Sequence, residues 1–228
     1  LSYIPGTVGA TPIQNIGAYG REVGNLIDHV KVLDTNNFSI KKISNKDCKF
    51  GYRTSIFKNK KNNFVVLSVA FLLFQKPKRL LSYNDLKNYF EGRKENSIKI
   101  KEIRDAIIKI RRNKLPEVSK IGSVGSFFKN PIVGNHDLRR VCKIYSNISF
   151  SKENKGKYKL SAAFLIENSG IKKGYRVGDA GVYDRHALVL VNYGEATSKD
   201  VISLANFIEK EVYKKNKIKI FKEVQILE

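Results

Sequence analysis

Two residues stand out for the chemistry their type and setting allow: Arg53, in Tyr52-Arg53-Thr54-Ser55, and Ser126, in Gly125-Ser126-Phe127-Phe128. A guanidinium is planar and permanently charged, and its fork can grip a carboxylate through two parallel hydrogen bonds. A serine hydroxyl is a weak acid, so it can protonate only a basic, well-placed centre. No Gly-x-Ser-x-Gly elbow surrounds Ser126, which argues against a hydrolytic nucleophile. Taken by type alone, each also has a plainer reading: a surface arginine in an ion pair, and a turn serine beside a glycine. No His, Cys, Asp and Glu cluster has metal-ligand spacing, so no metal is expected.

The opening stretch offers a different kind of chemistry. It reads Ile4-Pro5-Gly6-Thr7-Val8-Gly9-Ala10-Thr11-Pro12-Ile13-Gln14-Asn15-Ile16-Gly17-Ala18-Tyr19-Gly20. Glycine permits positive φ and close approach of a ligand to the backbone, and proline fixes φ and removes a donor. The combination suggests a rigid, irregular loop with many free backbone N–H groups, able to cradle an anionic or planar ligand. It is neither a dinucleotide GxGxxG fingerprint nor a Walker loop. A tight turn at a domain edge fits the composition equally well.

Several elements must position these groups. His29 to Leu33 and Phe38 to Ile43 read as strands joined by a turn at Asn36-Asn37. Asn45 to Lys49 reads as a short helix capped by Ser44, and the apolar run from Phe64 to Phe74 as a buried central strand. Ser82 to Glu91 reads as a short helix ending at Gly92. Ile100, Ile103, Ile107 and Ile110 share helical spacing, closed off by Pro116. Further on, Leu160 to Asn168 predicts a helix stopped at Gly170, and Leu188 to Asn192 a strand. Val201, Ala205, Ile208 and Val212 mark an amphipathic helix with Ser198 as its cap, and Ile218 to Leu227 predicts a last strand. Helices and strands without strict alternation indicate an α+β fold.

Four segments, in order, resemble the UDP-N-acetylenolpyruvoylglucosamine reductase family. They are the opening loop, Phe50-Gly51-Tyr52-Arg53-Thr54-Ser55-Ile56-Phe57-Lys58, Gly122-Ser123-Val124-Gly125-Ser126-Phe127-Phe128-Lys129-Asn130-Pro131, and Ala187-Leu188-Val189-Leu190-Val191-Asn192. The resemblance implies FAD-mediated, NADPH-dependent reduction of UDP-N-acetylglucosamine enolpyruvate to UDP-N-acetylmuramate in peptidoglycan synthesis. It implies that residues 1–115 are the later part of a two-subdomain FAD-binding domain of the vanillyl-alcohol-oxidase/PCMH-like kind. Residues 116–217 would be an α+β substrate-binding domain, and 218–228 a strand returning to the active site.

The same resemblance assigns roles. Ile4, Gly6, Gly9, Ala10, Pro12, Ile13, Gln14 and Gly17 would hold the flavin. Arg53 would stabilise an enolate-like intermediate, Ser126 would protonate its carbon, and Glu223 would work at the carboxylate end. Tyr83, Lys114, Asn130 and His186 would contact the substrate. Two departures from the family pattern are visible. Thr54 stands where the family usually has Asp, and Lys222 precedes Glu223 where a Glu-Pro pair is usual. An exposed strand carboxylate is the plainer reading of Glu223.

The bulk composition sets outer bounds. Lys and Arg number 43 against 21 Asp and Glu, a formal net charge of +22. Such an excess would suit a basic nucleic-acid-binding module, but the lysines are scattered and no helix-turn-helix, zinc or RNP pattern accompanies them. No nucleic-acid partner is therefore expected. The two cysteines show neither disulfide nor metal spacing, which fits a reducing cytoplasm. The longest apolar run is too short to span a bilayer, so no membrane partner is expected. A monomer is expected. The chain starts at Leu1 and contains no methionine, and the family carries an earlier Gly-rich turn for the flavin pyrophosphate. An inactive or partial form of the enzyme is therefore an alternative to an active one.

Overall fold

Val30 and Val32 are fully buried on either side of exposed Lys31, the two-residue period of a half-buried strand. They lie in the first of two units, Leu1–Arg111, whose described strands and α-helices follow. In chain order these are β1 (Gly17–Ala18), β2 (Arg21–Glu22), β3 (Ile27–Asp34), β4 (Ser39–Ser44), β5 (Phe64–Phe71), α1 (Asn84–Tyr89) and α2 (Ile100–Lys114), the last running across the boundary. The computed structural model describes residues 1–59, 63–75, 81 and 83–227. Strands β4, β3 and β5 form an antiparallel sheet in that order, and β1 pairs with β2. The β3–β4 hairpin turns at residues 35–38, with Asn37 Oδ1 accepting from Ser39 N at 3.1 Å. Two separate apolar clusters support this unit, one under the sheet around Val30 and Val32, the other joining α1 and α2 through Leu86, Phe90 and Ile107.

The second unit, Arg112–Glu228, has a continuous core. Its elements are β6 (Gly122–Ser126), β7 (Ile132–Val133), α3 (Asn135–Ile144), β8 (Phe150–Lys152), β9 (Tyr158–Leu160), α4 (Ala162–Glu167), β10 (Arg176–Val177), β11 (Ala180–Val182), β12 (Val189–Asn192) and α5 (Ser198–Asn216). The main sheet runs β10-β11-β12-β6, entirely antiparallel, and a smaller one runs β7-β9-β8. Helices α4 and α5 bury Leu165, Ile166, Leu204 and Ile208 in the same cluster as Val182 and Leu190 of the main sheet. Separate antiparallel sheets with helices interspersed make the fold α+β.

Four local expectations are corrected. The Phe64 run is a strand, but at the sheet edge rather than its centre, and Val65, Leu67 and Phe71 on it are exposed. Apolar composition signals burial without saying which faces the tertiary structure covers. Residues 45–49 form hydrogen-bonded turns, not a helix. Ser44 does cap them, through Asp47 N at 3.3 Å, but too few residues follow to propagate a helix. The cap of α5 is Thr197, one residue before the expected Ser198, in a capping box with Asp200. Residues 218–227 form no continuous strand; a single bridge, Phe128 to Lys222, marks their pairing. The short helix α1 begins at Asn84, and Ser82, its expected start, lies outside the described residues.

Candidate active site

The candidate residues divide between the two units. In the first, the opening loop folds on itself. A 3-10 turn spans Val8–Ala10, and backbone N–H groups of Ala10, Thr11, Ile13, Asn15 and Ile16 all donate to carbonyls within the loop. The expectation of many free N–H groups is therefore corrected: local turns consume these five, as a folded backbone pairs most of its donors. Pro12 is buried, Ile4, Gly9, Ile13, Gln14 and Gly17 are half-buried, and Gly6 and Ala10 are exposed. Gly6 takes φ 111° and has open space where a side chain would start. That conformation needs glycine.

Arg53 sits at the tip of a tight turn closed by two reciprocal bonds, Gly51 N to Thr54 O at 3.1 Å and Thr54 N to Gly51 O at 3.2 Å. Its Nη2 donates to Gly17 O at 2.9 Å, and its guanidinium lies 5.2 Å from the centre of the Tyr52 ring. The loop and the arginine are thus locked together. Two neighbours reinforce this. Ser55 Oγ donates to Ile13 O at 2.6 Å, and Lys58 Nζ donates to Gln14 Oε1 at 2.9 Å. Tyr83 stands edge-on to Tyr19 with ring centres 5.0 Å apart. Burial pushes the Tyr19 hydroxyl up to about 12 and raises that of Tyr83 as well.

In the second unit, chain segments far apart in sequence converge. Ser126 ends β6 opposite Val189 of β12, and Phe127 N donates to Leu188 O at 2.7 Å. Residues 221–223 run beside 127–129: Lys129 N donates to Phe221 O at 2.8 Å and Glu223 N to Phe127 O at 2.7 Å. Glu223 is thereby bonded to the residue directly after Ser126. His186 lies in the turn entering β12, where its Nδ1 accepts from Leu188 N at 3.2 Å. That bond leaves a neutral ring its proton on Nε2. Arg185 Nη1 reaches Asn113 O at 3.4 Å, which sets the His186 turn next to Lys114. Asn130 Oδ1 accepts from Ala162 N at 2.9 Å and so anchors the start of α4.

Ser126, Glu223, Asn130, His186 and Lys114 thus share one region of the second unit. Arg53 and the loop residues share one region of the first, and Tyr83 packs on Tyr19 near the end of that loop. Sequence reasoning missed Asn15, Lys58 and Arg185. Asn15 and Lys58 lie inside the quoted motifs, but polar type alone does not reveal which partner a side chain finds. Among the described residues no group of three or more His, Cys, Asp or Glu could hold a metal ion, and no helix is long and apolar enough to cross a membrane.

The fold is that of an α+β protein with an arginine turn in its first unit and a serine-ended strand in its second. Comparison with known proteins then names the family. The family model for the C-terminal domain of UDP-N-acetylenolpyruvoylglucosamine reductase matches residues 116–227. The reductase of that name from Buchnera aphidicola is 43% identical over the whole chain, which covers 67% of it. That from Flavobacterium johnsoniae is 38% identical, with 68% of its length covered. A crystal structure of the Thermus caldophilus reductase shares the fold at TM-score 0.60 and 22% identity, over 98% of this chain and 61% of that one. The chain belongs to the UDP-N-acetylenolpyruvoylglucosamine reductase family and spans about two thirds of the length of these relatives.

Proposed function

We propose that the protein reduces UDP-N-acetylglucosamine enolpyruvate to UDP-N-acetylmuramate for peptidoglycan, with NADPH as reductant and FAD as carrier. The observation that carries this reading is the pairing of residues 221–223 with 127–129, which brings Glu223 beside the Ser126 motif. On this reading residues 1–115 belong to a flavin-binding domain of the vanillyl-alcohol-oxidase/PCMH-like kind. Residues 116–217 bind the substrate, and 218–228 carry Glu223 to the reacting centre. The enzyme is cytoplasmic and monomeric, with no nucleic-acid or membrane partner.

The opening loop suits a planar ring. Gly6, with open space beside it, and exposed Val8 would form an apolar edge, while five N–H groups are already spent within the loop and do not serve a pyrophosphate. Ile4, Gly6, Gly9, Ala10, Pro12, Ile13, Gln14 and Gly17 would line that edge. Bound FAD supplies the hydride chemistry.

The chain's own residues do the rest. As the vinyl group is reduced, negative charge collects on the carbon bearing the carboxylate. Arg53 remains charged throughout and stabilises that charge. Ser126 gives its hydroxyl proton to the carbon. Glu223 orients the carboxylate end, and Lys114 offsets substrate or NADPH phosphate charge. Asn130, His186 and Tyr83 position the sugar nucleotide.

The test is a pair of stopped-flow measurements on the full natural polypeptide loaded with FAD. In Ser126→Ala, reduction of the flavin by NADPH proceeds at the normal rate, while its reoxidation by the enolpyruvate slows by about 100-fold or more. Equal slowing of both steps would remove Ser126 from the acid role.

A further inference from the structure

Asn15 is 2% exposed and takes φ 49°, a left-handed conformation that asparagine tolerates better than most residues. Its amide is fully engaged. Nδ2 donates to Glu22 Oε2 at 2.8 Å and to Gly51 O at 3.0 Å, and Oδ1 accepts from Gly24 N at 2.8 Å. An asparagine side chain has two donor hydrogens and one carbonyl oxygen, so both hydrogens and the oxygen are used. Space around the amide is tight: a Cβ on Gly24 would lie 2.8 Å from Asn15 Oδ1 and 2.8 Å from the Phe50 ring.

One of these three bonds ends on Gly51, and Gly51 closes the turn whose tip is Arg53. The same loop that carries Asn15 also presents Gly17 O to the Arg53 guanidinium. A Cβ on Gly17 would come within 3.0 Å of Arg53 Nη1 and of Glu22 Cγ. The base of the arginine turn and the tip of its side chain are therefore both held by residues 15–17. No other side chain of similar size supplies two donors and one acceptor: aspartate lacks the donors and leucine all three groups.

We propose that Asn15 is the positioning residue for Arg53, setting the height of the Gly51–Thr54 turn so that the guanidinium meets the substrate carboxylate. The inference rests on the reading of Arg53 given above. The test uses the full natural polypeptide with FAD. Asn15→Gly preserves the left-handed backbone and removes the amide. Flavin reoxidation by the enolpyruvate then slows by about 10- to 100-fold, the cost of misplacing a reacting group by about 1 Å. Flavin reduction by NADPH changes by less than about twofold, the scatter of uncoupled sites. The double variant with Arg53→Ala is no slower than Arg53→Ala alone.

Equal slowing of both half-reactions, or full additivity with Arg53→Ala, overturns the proposal. If Asn15→Gly does not fold, Glu22→Ala removes one of the three bonds and slows the same half-reaction by a smaller factor. Glu22→Gln, which keeps an acceptor, restores the rate; failure of that rescue counts against the proposal. A full reoxidation rate in Arg53→Ala would instead remove the functional reading. Asn15 is then judged by nitrogen-15 NMR of the Arg53 side chain. Distinct Nη signals that average in Asn15→Gly uphold the positioning, and unchanged signals overturn it.

Discussion

The two units hold their candidate residues by different means. In Arg112–Glu228 they ride on backbone pairing, β6 against β12 and residues 221–223 against 127–129, supported by one continuous apolar core. In Leu1–Arg111 the loop and the arginine turn are each closed by backbone bonds, but it is side-chain bonds that tie them to one another: Arg53 to Gly17, Ser55 to Ile13, Lys58 to Gln14 and Asn15 to three partners. Two smaller clusters support that unit, and its edge strand β5 leaves Leu67 48% exposed. Backbone pairing survives most side-chain substitutions, whereas a bond made by one side chain is lost with it. The first unit therefore places its groups at the mercy of single polar residues, and the second at the mercy of its core.

Three substitution tests can break or sharpen that contrast. The largest effect is expected in the core of the second unit. Leu165→Ala empties a fully buried position on α4 and should cost about 3 kcal/mol. Leu67→Ala on the exposed edge strand should stay within about 0.5 kcal/mol. Urea unfolding followed by amide exchange reports each unit, and equal losses would mean that β5 is covered in solution.

A middle-sized effect separates two hydroxyls. Ser55 is buried, donates to Ile13 O at 2.6 Å and accepts from Phe57 N at 3.1 Å, so Ser55→Ala should cost about 2 kcal/mol. Thr197→Ala removes an exposed cap and should cost about 1 kcal/mol. The reverse order, read in the same unfolding experiment, would contradict the dependence of the first unit on buried polar bonds.

The smallest effect is a slope in pH. Tyr19 titrates near 10.0 when exposed and at about 12 in the folded unit, chiefly because burial opposes its anion. A raised pKa stabilises the fold fully below pH 10.0, and that contribution is lost as pH rises through about 12. Tyr83 shifts in the same direction. Thermal unfolding between these pH values should therefore fall less steeply in Tyr19→Phe than in the unaltered protein. An unchanged slope would show that Tyr19 is not desolvated.

Much of the local architecture is legible in the residues because its causes are local. Asn36-Asn37 between two β-branched runs became the β3–β4 turn, and the isoleucine spacing after Ile100 became α2. The α5 cap slipped by one residue because Thr197 and Ser198 are both good caps, and the box with Asp200 decides between them. The whole helix α3 escaped notice, since only Leu138 and Val141 are buried on it and six of its other eight residues are polar. The Phe64 run shows the opposite failure: its hydrophobicity overstated its burial, because edge or centre is a property of sheet order.

The motifs around Gly17, Arg53, Ser126 and Asn130, and the resemblance they carry, were determined by sequence alone, because a motif is a local string. The bond between Glu223 and Phe127, the hold of Gly17 on Arg53 and the three partners of Asn15 were decided only by the tertiary structure. Those bonds join groups whose separation depends on the path of all the chain between them, and no pattern within either short segment encodes that path.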